Sequence, residues 1–465
     1  MSDLALLSAT DLPCRYRSRA LSPVEVAGAV LARIALLEPA INAMVLVDEE
    51  GALAAARASE ARWARGAPIG PLDGVPATVK DLVDLAGFPT RRGSLVTDAT
   101  PRAEDAPSVV ALKRAGAIIV GKTTTTEFGW KSPGDCPLTG ITRNPRNLLH
   151  TPGGSSAGAG AAAAAGYGPL HIGTDAGGSI RIPAAWSGVV GVKPSFGRVP
   201  QWPLGAFGPV AVAGPMARSV TDAALMLSAM AGFDWRDPFS LPDPPRDFAA
   251  GTEAPVEGMR VGILRRPGFD APAAPGMWAA VERAAEALRR QGARVAEAAV
   301  ELPDTRNIFS RVWGLALARL AELVPPDRHH ELDRGILRVR DIAHAAPPTA
   351  YLEAEAMRVE VAHRLAGLHA GGVDVLLCPC VPDVAPRADA PLDRPEELLW
   401  NAWAPWTFIF NLSRAPAVSV PAGLDANGLP LAVQVAAPLY RDDLALRAAR
   451  AIERGLGVLA AAEPS

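Results

Sequence analysis

Serines and a lysine stand among glycines in three short segments of the sequence. The segments are GVPATVKD with Lys80, GGSSAG with Ser155, and GTDAGGSIRIP with Ser179. Consecutive backbone N–H groups on a tight turn can hold an oxyanion, each donor contributing about 3–4 kcal/mol in the transition state. The residues placed to do so, directly before Ser179, are Ala176, Gly177 and Gly178. Ser179 is therefore a candidate nucleophile for attack on a carbonyl carbon.

A serine hydroxyl needs a base, and the usual base is histidine. The nearest histidine, His171, lies upstream in the apolar run PLHIG. A lysine can act instead if it is neutral, which requires desolvation to lower its pKa from about 10.4. Lys80 is thus a candidate base, and a hydroxyl placed between it and Ser179 could relay the proton.

Other patterns that suggest binding sites are weaker. GAGAAA at 158–163 fits the loose pattern G-x-G-x-x-A, but it follows TPGGSS rather than a strand, so we do not expect a nucleotide site. His329 and His330 lie in PPDRHHELDR, which is typical of a solvated loop or a helix start. The cysteines lack zinc-site spacing and are predicted to be reduced, buried thiols: Cys14, Cys136, Cys378 and Cys380. We expect no metal and no cofactor.

Composition indicates a globular chain. Of 465 residues, 49% are hydrophobic and 20% are charged. The net charge is −3, so the composition does not indicate the basic surface that nucleic-acid binding requires. The longest weakly polar stretch, 157–170, is too short to span a bilayer, and the first residues lack the order of a signal peptide. We therefore expect a cytoplasmic protein that binds a small molecule, with neither a nucleic acid nor a membrane as partner.

Helix and strand patterns alternate along the chain. SPVE at 22–25 is a capping box that begins a helix to about residue 37, and AIIVGKT at 117–123 follows a helix at 107–116 as a buried strand. Residues 259–302 form a β–α–β unit with a parallel strand pair, and 233–258 form a linker or surface loop. This alternation predicts an α/β fold, a large mixed twisted sheet covered by helices on both faces.

Residues 153–198 resemble the signature block of the amidase signature family. Its usual form is GGSSGG, then GTDTGGSIR-x-P, then G-x-KPT-x-GR. The resemblance extends to LDGVPATVKD upstream and to FNLSRAPAVSVPAG and GLPLAVQV downstream, and it is least close at about 233–370. It implies the amidase signature fold in one domain over 1–465, with a signature core at about 70–200 and a more variable, mostly helical region at about 300–370.

The same resemblance implies a Ser–Ser–Lys catalytic set. Ser179 is then the nucleophile, Ser155 the proton shuttle and Lys80 the base, at spacings of 75 and 24 residues that agree with the family. Ser155 occupies a position typically preceded by a cis peptide bond. Ala176 stands where threonine is common, which leaves the backbone N–H of the oxyanion hole in place.

Several neighbouring residues are expected to support this set. Asp175 and Arg181 flank the turn and are predicted to anchor it by charge-assisted hydrogen bonds, with Ser156 as a further hydroxyl. Trp130 follows TEFG, where family members often place a residue that lines the acyl pocket. Trp406, like Trp400 and Trp403, lies in LLWNAWAPWTFIF and is a second candidate for substrate contact. Core packing is the alternative for each tryptophan.

The resemblance predicts an amidase that hydrolyses a carboxylic amide to an acid plus ammonia or an amine, through an acyl-enzyme on Ser179. Two alternatives remain open. One is the amidase (glutaminase) subunit of a glutamine-dependent tRNA amidotransferase, which requires a second subunit that binds tRNA. The other is a non-catalytic subunit of a larger assembly. A homodimer is the default oligomeric state.

Overall fold

The computed structural model describes residues 3–242, 244, 246–347, 349–390 and 402–464. Its strands are β1 (Met44–Val47), β2 (Pro76–Lys80), β3 (Ile118–Thr123), β4 (Asp135–Cys136), β5 (Gly140–Ile141), β6 (Leu170–Asp175), β7 (Val190–Lys193), β8 (Val212–Ala217), β9 (Arg260–Ile263), β10 (Arg294–Glu297), β11 (Val375–Pro379), β12 (Ala417–Leu424) and β13 (Pro430–Ala436). All except β4 and β5, which pair with each other, form one eleven-stranded sheet in the order β1-β3-β2-β6-β8-β7-β12-β13-β11-β9-β10.

Helices precede, connect and follow the strands of this sheet. They are α1 (Leu12–Arg17), α2 (Pro23–Ile41), α3 (Glu49–Ala64), α4 (Pro107–Arg114), α5 (Ala157–Ala165), α6 (Arg181–Ser187), α7 (Val220–Met230), α8 (Pro275–Arg289), α9 (Thr305–Glu322), α10 (Arg334–His344), α11 (Ala350–Ala370), α12 (Ile409–Leu412) and α13 (Asp442–Leu456). Short 3-10 helices are Asp3–Leu6, Glu127–Gly129, Gly208–Val210, Ala250–Glu253 and Pro326–Glu331.

The strand directions are mixed. The neighbours β3, β2 and β6 run parallel, and so do β11, β9 and β10. Between these two groups every neighbouring pair is antiparallel. The predicted α/β class with a large mixed sheet is confirmed, and so is the parallel pairing of β9 with β10.

The capping box predicted at the start of α2 is present in the structure. The Ser22 side chain accepts a hydrogen bond from the Val24 N–H at 3.0 Å, and the Glu25 carboxylate accepts one from the Ser22 N–H at 2.8 Å. The helix continues to Ile41, four residues past the predicted end, and Asn42 stops it with a left-handed φ of 55°. The capping box therefore determined where the helix begins, whereas its end depended on the following turn.

The alanine- and glycine-rich segment 157–165 forms α5, which is entirely buried. A Cβ atom at Gly158 would lie only 2.1 Å from the Ala43 carbonyl oxygen, so this helix can approach the start of β1 only because the residue is glycine. The close approach brings the residues that precede α5, Ser155 and Ser156, to the end of β2.

The predicted linker 233–258 contains Ala250–Glu253 as its regular element among the described residues, and 307–368 is mostly helical as expected. Three of the four cysteines are buried free thiols, but Cys14 is exposed, which corrects the expectation for that residue. Cys14 lies on α1, which buries Leu12 and Tyr16 and turns its other side to solvent. Within the described ranges, no helix is both long enough and apolar enough to cross a membrane.

Candidate active site

Lys80 is the last residue of β2 and is fully buried. Its Nζ lies 2.7 Å from Ser155 Oγ, 2.9 Å from Ser156 Oγ and 2.9 Å from Thr174 Oγ1. Strands β2 and β6 are parallel neighbours, so Lys80 and Thr174 meet at the same edge of the sheet. Lys80 thus lies beside Ser155 and Ser156, as predicted. Thr174 was not predicted, and its signal in the sequence was its position before Asp175 at the end of a strand.

Hydroxyl groups, not carboxylates, surround this amine. No described carboxylate lies within ion-pair distance of Lys80 Nζ. Burial lowers the pKa of Lys80 well below its ordinary value, and the charge of Asp175 only partly opposes this. A neutral amine has a lone pair, so Lys80 can accept a proton from the hydroxyl of Ser155. Lys80 is therefore both buried, which favours its neutral form, and adjacent to a hydroxyl that can give it a proton.

Ser155 follows a cis peptide bond from Gly154, as the family resemblance implies. Ser155 and Ser179 line the same cavity. Their hydroxyls are not hydrogen-bonded to each other, and the link between the two segments is the Ser156 N–H, which donates to the Ser179 carbonyl at 3.1 Å. Catalytic hydrogen bonds often tighten only when substrate is bound. The absence of a Ser155–Ser179 hydrogen bond therefore does not contradict proton transfer between the two hydroxyls.

The carboxylate of Asp175 organises the turn before Ser179. It accepts hydrogen bonds from the N–H groups of Gly178 at 2.8 Å and Ile180 at 3.2 Å. Gly178 has a φ of 135°, and a Cβ atom there would lie 2.4 Å from Thr407 Oγ1. Only glycine satisfies both the conformation and the space at this position.

This arrangement leaves the three predicted oxyanion-hole donors unequally available. The Gly178 N–H already donates to Asp175 and is therefore not free to receive an oxyanion. The N–H groups of Ala176, Gly177 and Ser179 donate to no described residue. The turn thus presents these three donors beside the Ser179 hydroxyl, and the sequence pattern could not show which N–H the aspartate would occupy.

Arg181 connects the turn to distant parts of the chain. It is fully buried, and its Nε and Nη2 each lie 3.0 Å from an oxygen of Asp175. The Arg181 guanidinium also donates hydrogen bonds to Thr407, Asn411 and Gln434, which were not predicted. Arg181 lowers the pKa of Asp175 to about 2, despite its burial. These partners are more than 220 residues away along the chain, so no local spacing could identify them.

We expect Asp175→Asn to lower the free energy of unfolding by about 3–5 kcal/mol, because removing one member of a buried ion pair leaves the other charge uncompensated. Chemical unfolding at pH 7 measures this. The matched control is Asp389→Asn, which breaks an exposed pair with Arg387 and should change stability far less, because solvent screens the charges of an exposed pair. Equal effects of the two substitutions would contradict the anchoring role.

The cavity beside Ser179 is largely apolar. Its apolar lining includes Leu82, Val83, Phe128, Trp202, Phe207 and Trp313, and its polar lining includes Asp84, Arg92 and Gln201. Trp313 comes from α9 and stacks on Phe207 at 3.8 Å between ring centroids. The long helical region therefore contributes directly to the cavity wall, which its sequence pattern did not indicate.

The two tryptophans proposed for substrate contact are not among the residues that line this cavity. Trp130 is fully buried and packs against Gly335, while Phe128, with a left-handed φ of 50°, lines the cavity in its place. Trp406 is also fully buried, and its Nε1 donates to the Pro272 carbonyl at 3.1 Å. Their positions favour core packing, and substrate contact by either tryptophan stays a prediction. Trp403 is buried, and Trp400 lies outside the described residues.

The Amidase family model matches residues 25–446. The chain belongs to the amidase signature family. It is 35% identical over 491 residues to a glutamyl-tRNA(Gln) amidotransferase subunit from Salinispora arenicola (strain CNS-205), with 98% of this chain and 99% of that protein covered.

Two solved structures extend the comparison of this amidase to three dimensions. A bacterial aryl acylamidase of the amidase signature family has a TM-score of 0.87 and 28% identity, covering 97% of this chain and 96% of that one. The 6-aminohexanoate cyclic dimer hydrolase in complex with substrate has a TM-score of 0.87 and 30% identity, covering 98% of each chain. The predicted amidase signature fold is thereby confirmed, and the chain is an amidohydrolase of this family.

Proposed function

We propose that this amidase hydrolyses a carboxylic amide with Ser179 as nucleophile, Ser155 as proton shuttle and Lys80 as base. The observation that carries the proposal is the fully buried Lys80, whose Nζ lies 2.7 Å from Ser155 Oγ and has only hydroxyl partners among the described residues. Burial without a carboxylate partner lowers the pKa of a lysine and so favours its neutral form, and a neutral lysine next to a serine can act as a base.

In the first half of the reaction, Lys80 takes a proton from Ser155, and Ser155 takes one from Ser179. Ser179 Oγ then attacks the amide carbon, and the oxyanion accepts hydrogen bonds from the free N–H groups of the turn. The carbon–nitrogen bond breaks as the proton returns along the same path to the leaving nitrogen, which departs as ammonia or an amine. Water attacks the resulting ester by the same relay and releases the acid.

The supporting residues hold the reacting groups in position. Asp175 and Arg181 hold the turn, and Ser156 and Thr174 supply the other two hydroxyls around Lys80. Because each contact orients either the amine or the turn, these residues position the reacting groups.

The curated relatives favour a second candidate for the substrate and the setting. They are amidotransferase subunits, so the same chemistry on glutamine would supply ammonia to a tRNA-linked reaction within a larger assembly. This relationship removes the support for our expectation that no nucleic acid is a partner. The non-catalytic alternative is disfavoured, because the lysine, both serines and the free N–H groups are all in place.

The whole chain is proposed to act as one domain, since a single sheet contains strands from both halves of the chain, β1 and β13 among them. Cytoplasmic location and a homodimer remain predictions. The native mass of the purified protein, measured alone and after incubation with cell lysate, distinguishes a homodimer from a chain that recruits partners.

One experiment separates the two candidate functions. The purified chain is assayed for ammonia or amine release from short aliphatic amides, aryl amides and glutamine, with and without EDTA. Efficient turnover of a simple amide by the chain alone, unaffected by EDTA, supports the stand-alone amidase. Weak glutamine hydrolysis that rises when partner subunits are added supports the amidotransferase role. No turnover of any amide under either condition would contradict both.

A further inference from the structure

Arg92 lines the same cavity as Ser155 and Ser179. Its backbone is held between two segments of the site: the Arg92 N–H donates to the carbonyl of Asp81, next to Lys80, at 3.1 Å, and its carbonyl accepts from the Phe128 N–H at 2.8 Å. The position of this arginine is therefore tied to the strand end that carries the lysine.

The carboxylates near Arg92 have other cations as partners. Asp81 pairs with Lys122 at 2.7 Å, Asp175 pairs with Arg181, and Asp84, which also lines the cavity, lies 3.6 Å from Arg102. Arg92 itself forms no side-chain hydrogen bond and no ion pair with any described residue. The cavity wall thus carries an arginine whose guanidinium N–H groups donate to no described residue.

Such an arginine is costly for the fold. Arg92 is half-buried, and burial lowers its pKa, with the charge of Asp84 as the main opposing influence. Its φ of 55° is in the left-handed region, which is unfavourable for a residue with a side chain. A strained backbone and a partly desolvated, unpaired cation at the edge of an active-site cavity point to a ligand that completes the site.

We propose that Arg92 binds a carboxylate on the acyl part of the substrate, so that the preferred substrates are half-amides of dicarboxylic acids and related amides with an anionic acyl group. The inference rests on the proposed function. A guanidinium matches a carboxylate with two parallel hydrogen bonds, and the apolar lining suits the methylene groups between that carboxylate and the amide. Glutamine is one member of this class, with an additional ammonium group.

The test compares glutaramic acid with 5-methylhexanamide, and succinamic acid with 4-methylpentanamide. Each pair has the same shape, but one member carries a carboxylate and the other a neutral branched end. We expect the wild-type protein to prefer the carboxylate by about 10- to 100-fold in kcat/KM, the value typical of a hydrogen bond to a charged group. Most of this preference should appear in KM.

Arg92→Met should abolish the preference while turnover of the neutral amides stays within a few-fold. Arg92→Lys should restore part of it, which a purely structural role would not explain. The matched control is Arg91→Met, because the Arg91 guanidinium instead bonds Thr97 Oγ1 at 3.2 Å and does not line the cavity. That variant should keep the wild-type ratio, and unfolding transitions of all variants show whether each is folded.

Three results would overturn the inference in distinguishable ways. Equal kcat/KM values for the charged and neutral members in the wild-type protein would refute the carboxylate site and leave the amidase chemistry standing. Equal slowing of both members by Arg92→Met would assign Arg92 to structure. Absence of turnover for every amide, glutamine included, would reject the proposed function itself and the inference with it.

Discussion

Replacing Ser179 with alanine should reduce amide turnover by on the order of 10⁴–10⁶-fold, because loss of the attacking oxygen removes the covalent route altogether. The residual rate would come from the oxyanion donors and binding alone. Ser155→Ala should lose less, since a water molecule can replace a shuttle but not a nucleophile. Initial rates of ammonia release on the best amide of the panel measure both effects.

A covalent probe tests the same assignment independently of the substrate. A fluorophosphonate should label the wild-type protein on Ser179, because an activated serine attacks phosphorus as it attacks a carbonyl. The Ser179→Ala protein should remain unlabelled, and peptide mapping identifies the modified residue. Label on another residue, or undiminished label on the variant, would remove Ser179 from the nucleophile role.

Replacing Lys80 with methionine should reduce turnover by at least about 10²–10⁴-fold, the contribution typical of a general base. Methionine retains much of the side-chain volume, so the buried site stays filled while the titratable amine is lost. The loss is expected to exceed this range if Lys80, Ser155 and Ser179 act as one relay, because the effects of substituting residues that act together are not additive.

The pH dependence of amide turnover tests whether Lys80 is the base. Only the neutral amine accepts a proton, and burial lowers the pKa of Lys80, so the wild-type rate should rise with pH and level off below the ordinary range of lysine. His171 does not explain such a rise, because burial lowers its pKa to about 3 and its Nδ1 lies 2.8 Å from Thr78 Oγ1.

Lys193 provides a matched control. It is a second buried lysine, outside the cavity lining, and burial lowers its pKa to about 7. Lys193→Met should leave the pH profile unchanged, whereas Lys80→Met should abolish it. If the folded Lys80 variant keeps near-normal turnover, or if the Lys193 variant removes the pH-dependent rise, the Ser–Ser–Lys proposal is wrong.

The fold class and the three motif segments were readable from the sequence alone. The alternation of apolar strands and amphipathic helices predicted the α/β sheet, and the capping box located the start of α2. Glycine-rich turns are local features, so the segments around Lys80, Ser155 and Ser179 could be recognised from their own residues and their order. Helix ends were less well predicted, because they depend on contacts that the following turn makes.

The tertiary structure decided which groups in those segments meet and which are already occupied. The strand order places β2 beside β6, which brings Thr174 to Lys80, and the Gly178 N–H donates to the carboxylate of Asp175. Trp313, from α9, lines the cavity, whereas Trp130, beside a signature motif, does not. A hydrogen bond or a cavity wall depends on atoms brought together from distant parts of the chain, and residue type and spacing do not encode that distance.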